Sequence, residues 1–542
     1  MSSASPWLAT WETARPKAAY WSAAVLVAPL FLLALYIYGH GLGKRSLSID
    51  ELYHVYAADS LNRDGTFALP SGRPYERAAP YTYAVGLSFK YLGVSEFSAR
   101  IPSVLFGLLY LALFFRLVDT SFGRGAAVLS ALLVVLSPLE VYYARECRFY
   151  SLLQVSYLVL VYSFFKLFET FREAQPAWDS RRVRKLVLLS LVFAVAGYLC
   201  LKMQAFGTLL FLPSVALFVV FTLINTFFAR RSAPPLKFAL TAAGVLATAV
   251  AGLYLSTELL GATFFQSFTY VPRWASYFAG DRLFYFRVLY HQNALLCLLV
   301  PVGALLAMRG NAAGALYFGS LFAAPFMILS FLPLKQDRLL HHVYPFALVL
   351  ISVCIVVSFG KIMEILRLRT GGPKRWMTAL LLIGTITALA ANTAFAYGRF
   401  KISFPPTPGW KETCSSLRSR ISGDDIVVTD NSIAVRHYLG RVDYVMDENL
   451  LEISKQAGCR DRSGRWRDYY TDAVHITSIG ELMELAGGGK RAWILLGHDG
   501  SGFRSIHEFA GTIGKPITGD AIDEEIKVYS VGPSFRPGLP IQ

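Results

Sequence analysis

The sequence predicts a polytopic α-helical membrane protein carrying a small extracytoplasmic α/β domain at its C-terminal end. Two observations carry this. Of 542 residues, 54% are hydrophobic and only 16% charged, whereas a soluble domain has about 25% charged residues; the mean hydropathy is +0.45. The apolar residues also gather into runs of about twenty, the length that crosses a bilayer core, and these runs stop near residue 400.

About eleven runs read as spans: 21–39, 101–119, 125–141, 149–168, 186–203, 206–228, 237–257, 287–307, 314–333, 342–360 and 376–397. The first is preceded by no signal-peptide cleavage pattern and is read as a retained span. Lys and Arg collect in alternate connections, among them Arg181, Arg182, Arg184 and Lys185, then Arg230 and Arg231, then Lys374 and Arg375. By the positive-inside rule these connections are cytoplasmic, as is the N-terminus. The first loop and residues 401–542 then face outward, and the expected location is a bacterial inner membrane. The net charge of +16 is accounted for by topology and anionic membrane lipids, so no nucleic-acid partner is expected.

The outer segments differ in kind. The first loop, 40–100, holds "DELYHVYAADSLNRDG" and "APYTYAVGLSFKYLGV", whose apolar residues recur at helical spacing. Both are expected to be amphipathic helices in the membrane interface. The loop near 259–286 is rich in aromatics, which favour the interface and would equally suit a groove for lipid or sugar. Beyond a Pro-rich linker, "WKETCSSLRSRI" reads as a helix and "DDIVVTD", "RAWILLGH" and "EEIKVYSVG" as strands, a domain of about 140 residues with its own core. The division is therefore 1–400, membrane catalytic domain with the 40–100 loop, and 401–542. Cys414 and Cys459 fall in the second part and either pair in an oxidising compartment or remain thiols. No CxxC or Cys/His metal spacing occurs. The dispersed histidines of the C-terminal domain make no catalytic constellation, so it is expected to be dispensable for the chemical step.

Charged groups recur at the outer ends of the spans: Glu140, Arg145, Glu146 and Arg148, then Lys202, then Lys335, Asp337, Arg338, His341 and His342. Ionisable groups at membrane depth are costly and tend to face a cavity or a partner. Cations gathered there would hold a lipid phosphate. One carboxylate opposite them would take the proton of an attacking hydroxyl. For a polyprenyl-phosphate sugar the leaving group is already a stable anion and needs no general acid. Asp50, beside Glu51 in the first loop, is the expected base.

"SIDELYH" resembles the first-loop Asp-Glu motif of the GT-C glycosyltransferases of the protein O-mannosyltransferase and lipid A aminoarabinose transferase type. "GLSFKYLGVSEFSARIPSVLFGLL", "YYARECRFYSLL" and "KQDRLLHHVYPFALVL" are similar to further segments of that superfamily, in the same order. The resemblance implies an inverting transferase with Asp50 as general base, and Glu51 orienting the acceptor or a cation. It implies that Arg148, with Lys202 and Arg338, grips the donor phosphate. Arg145 is taken as a further phosphate ligand. Arg77, in "RAAP", stands where the family often has a cation followed by two prolines. Tyr53, His54, Tyr143, Glu146, Tyr150 and His341 are expected to bind substrate. The expected partners are a polyprenyl-phosphate-linked sugar donor and a lipid, glycan or protein acceptor. No cofactor is expected and no metal, since the outer loops lack the DxD motif of the related oligosaccharyltransferases. A transporter or flippase of a lipid-linked or anionic substrate is the alternative, against which the charges lie at the rim and no internal repeat is seen.

Overall fold

The computed structural model describes residues 18–172, 179–230, 280–370, 375–403, 407–497, 504–519 and 522–532. In chain order the helices begin α1 Ala18–Gly39, α2 Ile49–Asp64, α3 Ala79–Leu92, α4 Glu96–Phe122, α5 Arg124–Leu136, α6 Pro138–Arg145, α7 Tyr150–Arg172, α8 Ser180–Leu209 and α9 Phe211–Arg230. They continue with α10 Phe284–Asn293, α11 Leu299–Phe331, α12 Tyr344–Thr370 and α13 Arg375–Ser403. The chain divides into two compact units. One is Met1–His40, Ser103–Arg145 and Phe149–Phe404; the other is Gly41–Pro102, Glu146–Arg148 and Pro405–Gln542.

The regular elements among the described residues of the first unit are all helices. Six helices there are long and apolar enough to cross a membrane, and α5 with α6, bent by 66°, makes a seventh if taken as one span. Pro138 opens α6 and explains that bend, because a proline disfavours helical backbone in the residue before it. Two boundaries drawn between expected spans coincide with breaks inside continuous helices. Gln204 (φ −155°, ψ 91°) interrupts α8. Asn311 (φ −143°, ψ 85°) interrupts α11, and its side chain caps the resumed helix by accepting the Gly314 N–H at 2.9 Å. The expected span 237–257 lies outside the described residues, as does most of the 259–286 loop. Tyr317 of α11 knits the core: its hydroxyl donates to the Val161 carbonyl of α7 at 2.8 Å, and its ring packs on Phe218 of α9 at 5.0 Å. Gly303 lets α11 meet α12 backbone to backbone, because any Cβ there would collide with the Leu350 carbonyl.

The second unit joins the first loop to the C-terminal domain. The latter adds α14 Trp410–Leu417, α15 Ser432–Leu439, α16 Glu448–Gln456, α17 Ile479–Gly487 and α18 Arg504–Ile513. Its strands are β1 Ile426–Thr429, β2 Tyr444–Val445, β3 Val474–His475, β4 Ala492–Leu496, β5 Lys515–Ile517 and β6 Lys527–Val531. The sheet order is β3-β2-β1-β4-β6-β5, parallel from β3 to β4 and antiparallel through β6 and β5. Val428, Met446, Ile494, Leu496 and Val531 centre the core. Cys414 and Cys459 are buried free thiols, so the disulfide option is not taken.

This division differs from the one read along the sequence, which placed 40–100 with the membrane part. α2 is also not a one-sided interfacial helix. Glu51, Leu52, His54, Val55, Ala57, Ala58 and Ser60 are buried around it, because the C-terminal domain covers a second face. The Tyr438 hydroxyl accepts the Leu47 N–H at 2.7 Å, Lys411 pairs with Glu96 at 3.0 Å, and His437 packs edge-on to Tyr56 at 5.6 Å. α3 does keep an apolar exposed side, with Tyr83, Leu87 and Tyr91.

Candidate active site

α2 starts with a capping box. The Ser48 hydroxyl accepts the Glu51 N–H and the Glu51 carboxylate accepts the Ser48 N–H. Asp50 and Glu51 therefore sit in the first turn, where the helix dipole favours negative charge. Their side chains then part. Asp50 is half exposed, and its carboxylate lies 3.1 Å from the buried Arg148 guanidinium, which also donates to the Asp50 carbonyl at 3.0 Å. Glu51 is fully buried. Arg100 grips both its oxygens, at 2.7 and 2.8 Å, and the Cys147 N–H adds a bond at 2.8 Å. Burial opposes the charge on Glu51, but the charge and hydrogen bonds of Arg100 outweigh it and hold the carboxyl below the usual range.

Glu51 differs from Asp50 in that its oxygens are occupied by donors and closed to solvent. Arg100, which the sequence did not single out, is its partner. The remaining guanidinium bonds of Arg100 go to the carbonyls of Leu42, Arg45 and Ser46 at 2.9–3.0 Å, so one side chain fixes the turn leading into Asp50. Glu146 is buried and paired with Arg45, which makes it a second strut of the same turn. His54, expected to bind substrate, is fully buried with Nδ1 2.9 Å from the Thr82 hydroxyl. Burial first, then Arg148 and Arg77, push its pKa well below that of an ordinary histidine, so it is a neutral core residue. Tyr53 is half-buried and stacks on Tyr470 with ring centroids 4.4 Å apart.

A second polar cluster lies in the first unit. His341 Nε2 is 3.5 Å from a Glu140 oxygen, which also accepts from Gln154 at 2.8 Å. Tyr143 packs on the His341 ring at 4.3 Å and on Tyr150 at 4.6 Å. Arg338 donates to the Tyr150 hydroxyl at 3.5 Å. Asp337 accepts the Arg338 N–H at 2.9 Å, and burial pushes its pKa up to about 6. Tyr143, Tyr150, Arg338 and His341 lie together in this cluster.

Residues 78–254 match the family model described as dolichyl-phosphate-mannose-protein mannosyltransferase. ArnT from Cupriavidus metallidurans in the apo state superposes with a TM-score of 0.60 at 16% identity, covering 95% of this chain and 99% of that one. The chain thus shares the fold of this ArnT. The same ArnT bound to undecaprenyl phosphate gives a TM-score of 0.58 at 16% identity over 94% and 99%. AglB from Archaeoglobus fulgidus, an oligosaccharyltransferase in complex with an inhibitory peptide and a dolichol-phosphate, gives 0.59 at 11% identity, covering 89% of this chain and 70% of that one. No curated protein matches by sequence.

The other expected phosphate ligands take varied places. Arg145 donates to the carbonyls of Ile37 and His40 at 2.6 Å each, where its charge suits the C-terminal end of α1. Lys202 is exposed, its ammonium 5.8 Å from the Tyr198 ring centroid. Arg77 is exposed beside α3. Lys335 donates to the Leu329 and Ser330 carbonyls at 2.8 Å each and so closes α11. Among the described residues no three His, Cys, Asp or Glu side chains converge as metal ligands.

Proposed function

We propose that the protein transfers a sugar from a polyprenyl-phosphate donor to a hydroxyl of a lipid, glycan or protein acceptor at the outer face of a bacterial inner membrane, with inversion. The observation that carries this is the Asp50–Arg148 pair: a half-exposed carboxylate on a buried guanidinium, on a turn fixed by the buried Glu51–Arg100 ion pair. The acceptor oxygen attacks the anomeric carbon opposite the phosphate. Asp50 takes the hydroxyl proton, worth about 10²–10⁴-fold in rate. The anomeric carbon–oxygen bond breaks, its electron pair leaving on the polyprenyl phosphate. Arg148 receives that charge by charge-assisted hydrogen bonds. Proton and leaving group are both accounted for, so the step calls for no metal or cofactor.

Three things support the reading: the family match, the fold shared with a protein that binds undecaprenyl phosphate, and the apolar helices. The orientation, cytoplasmic N-terminus and outward C-terminal domain, rests on the charge pattern of the connections. The test uses the purified full chain in lipid vesicles with undecaprenyl-phosphate-linked mannose, glucose and arabinose. Release of undecaprenyl phosphate with sugar on an acceptor supports the proposal. Movement of intact donor across the bilayer without release supports the transporter reading and overturns it.

A further inference from the structure

The C-terminal domain carries a basic hairpin, "CRDRSGRWR", residues 459–467, in which four arginines stand against one aspartate. Backbone bonds close it. The Arg467 N–H donates to the Cys459 carbonyl at 2.8 Å and the Asp461 N–H to the Arg465 carbonyl at 3.0 Å, and Gly464 turns the tip at φ +85°. The Asp461 carboxylate is used up inside the hairpin. It accepts the Ser463 N–H at 2.9 Å, the Ser463 hydroxyl at 2.6 Å, the Arg465 N–H at 3.0 Å and the Arg467 guanidinium at 3.1 Å. Arg460 is held over the Trp466 ring, 4.1 Å from its centroid. Arg462 and Arg465 are exposed, and among the described residues the one ion pair of the hairpin is Asp461 with Arg467. Three guanidinia of one sign on a closed tip make a positive potential that a bound anion relieves. Their planar forks match the oxygens of phosphate or carboxylate.

The hairpin leads into the turn 468–472 and then β3. The Trp466 carbonyl accepts the His475 N–H at 2.9 Å, and Arg467 is bridged to Val474. The turn meets the first loop. The Ser71 hydroxyl donates to the Tyr469 carbonyl at 2.7 Å, and Tyr470 stacks on Tyr53, about one helical turn from Asp50. Turn and tip lie at opposite ends of this short ladder, so the tip points away from the loop whose ends run into α1 and α4. At about 3.3 Å per extended residue, Arg465 lies about 10 Å beyond the turn. A bilayer surface would meet the first loop before it met the tip. An extended ligand held near Asp50 would reach it along the domain.

We propose that the tip formed by Arg460, Arg462 and Arg465 docks an acidic saccharide, one bearing phosphate or carboxylate groups, and that this saccharide is the acceptor whose hydroxyl reaches Asp50. The acceptor role rests on the proposed transferase reading; the docking surface stands on the hairpin alone. The C-terminal domain then selects the acceptor, while the chemical step stays on α2.

The test uses the full chain in phosphatidylcholine nanodiscs, titrated without donor with a polyuronate, a phosphorylated mannan and neutral dextran. The variant is Arg462→Ser with Arg465→Ser. The control is Arg63→Ala, which removes an exposed arginine from α2. The wild type should bind an acidic saccharide and not dextran, more weakly as salt is raised. The double variant should bind about five- to thirtyfold more weakly, as the loss of two exposed ion contacts gives, with melting temperature and acceptor-free hydrolysis of donor unchanged. Arg63→Ala should bind as the wild type does. Equal binding of dextran, or wild-type affinity in the double variant, overturns the proposal. So does a loss of activity confined to discs containing phosphatidylglycerol with saccharide binding intact, which would make the tip a membrane contact. With the three undecaprenyl-phosphate sugars above as donors, a preference for acidic acceptors that the double variant loses supports the acceptor role. Equal transfer to dextran overturns that role and leaves the transferase reading intact. Saccharide binding with no release of undecaprenyl phosphate from any donor overturns the transferase reading, and the acceptor role with it.

Discussion

The two polar clusters contain the same residue types and treat them oppositely. In the second unit Glu51 is met by Arg100, a backbone N–H and a cap, and Glu146 by Arg45. In the first unit Glu140 Oε1, Asp337 Oδ2 and His341 Nδ1 are buried with no hydrogen-bond partner among the described residues. Buried polar groups are normally satisfied, and those left open call for an explanation. The Glu51 and Glu146 pairs form a mount, because removing either partner strands a buried charge. The open one has unused hydrogen-bonding capacity, as a polar ligand would require.

Asp50→Asn tests the mount's working end and should have the largest effect, a loss of transfer of about 10²–10⁴-fold with donor binding retained. Near-normal turnover at saturating donor and acceptor would remove Asp50 from the chemistry. Arg100→Ala should come next. Breaking a buried pair by removing one partner costs about 3–5 kcal/mol, read as a fall in thermal stability in detergent. Glu51→Gln should lose stability and activity together; loss of activity alone, with melting unchanged, would return Glu51 to a chemical role and break the comparison.

Arg148→Ala removes the proposed charged contact to phosphate, worth about 1.5–3 kcal/mol, and should weaken undecaprenyl phosphate binding measured by titration. Asp337 sharpens the other side. Its folded pKa of about 6 is raised above the ordinary 3.8, so the unfolded chain releases this proton first. Its contribution to stability is therefore present at low pH and lost as pH rises through about 4 to 6. Asp337→Asn should flatten melting temperature across that window; an unchanged slope would refute the assignment. The control is Arg63→Ala on α2, an exposed pair with Asp59, expected to shift stability by no more than about 0.5 kcal/mol.

Much of this was legible because it is local. Asn311 and Gln204 fall where apolar runs change character, and three strands of the sheet carry runs long enough to see. The two-residue β2 and β3 do not. Arg100 was hidden for a different reason. At the head of an apolar run it reads as a snorkelling end-group, and its partner Glu51 lies 49 residues upstream. His54 shows the same limit: a histidine beside two acids suggests chemistry until the packing around α2 is known. The union of the first loop with residues 405–542 has no sequence signal at all, being made of isolated hydrogen bonds, ring contacts and an ion pair between distant segments.

That union has a consequence in time. Leu47 and Tyr438 are 391 positions apart, and Ser71 and Tyr469 398. At about 5–20 residues per second of synthesis, the first loop waits roughly 20–80 s for the chain that covers it. The Glu51–Arg100 pair can form at once, since both halves are made early. The faces of Tyr53 and Tyr56 cannot be covered until nearly the whole protein exists. Translation that stops short of residue 470 would therefore leave α2 exposed on the side that the finished protein closes.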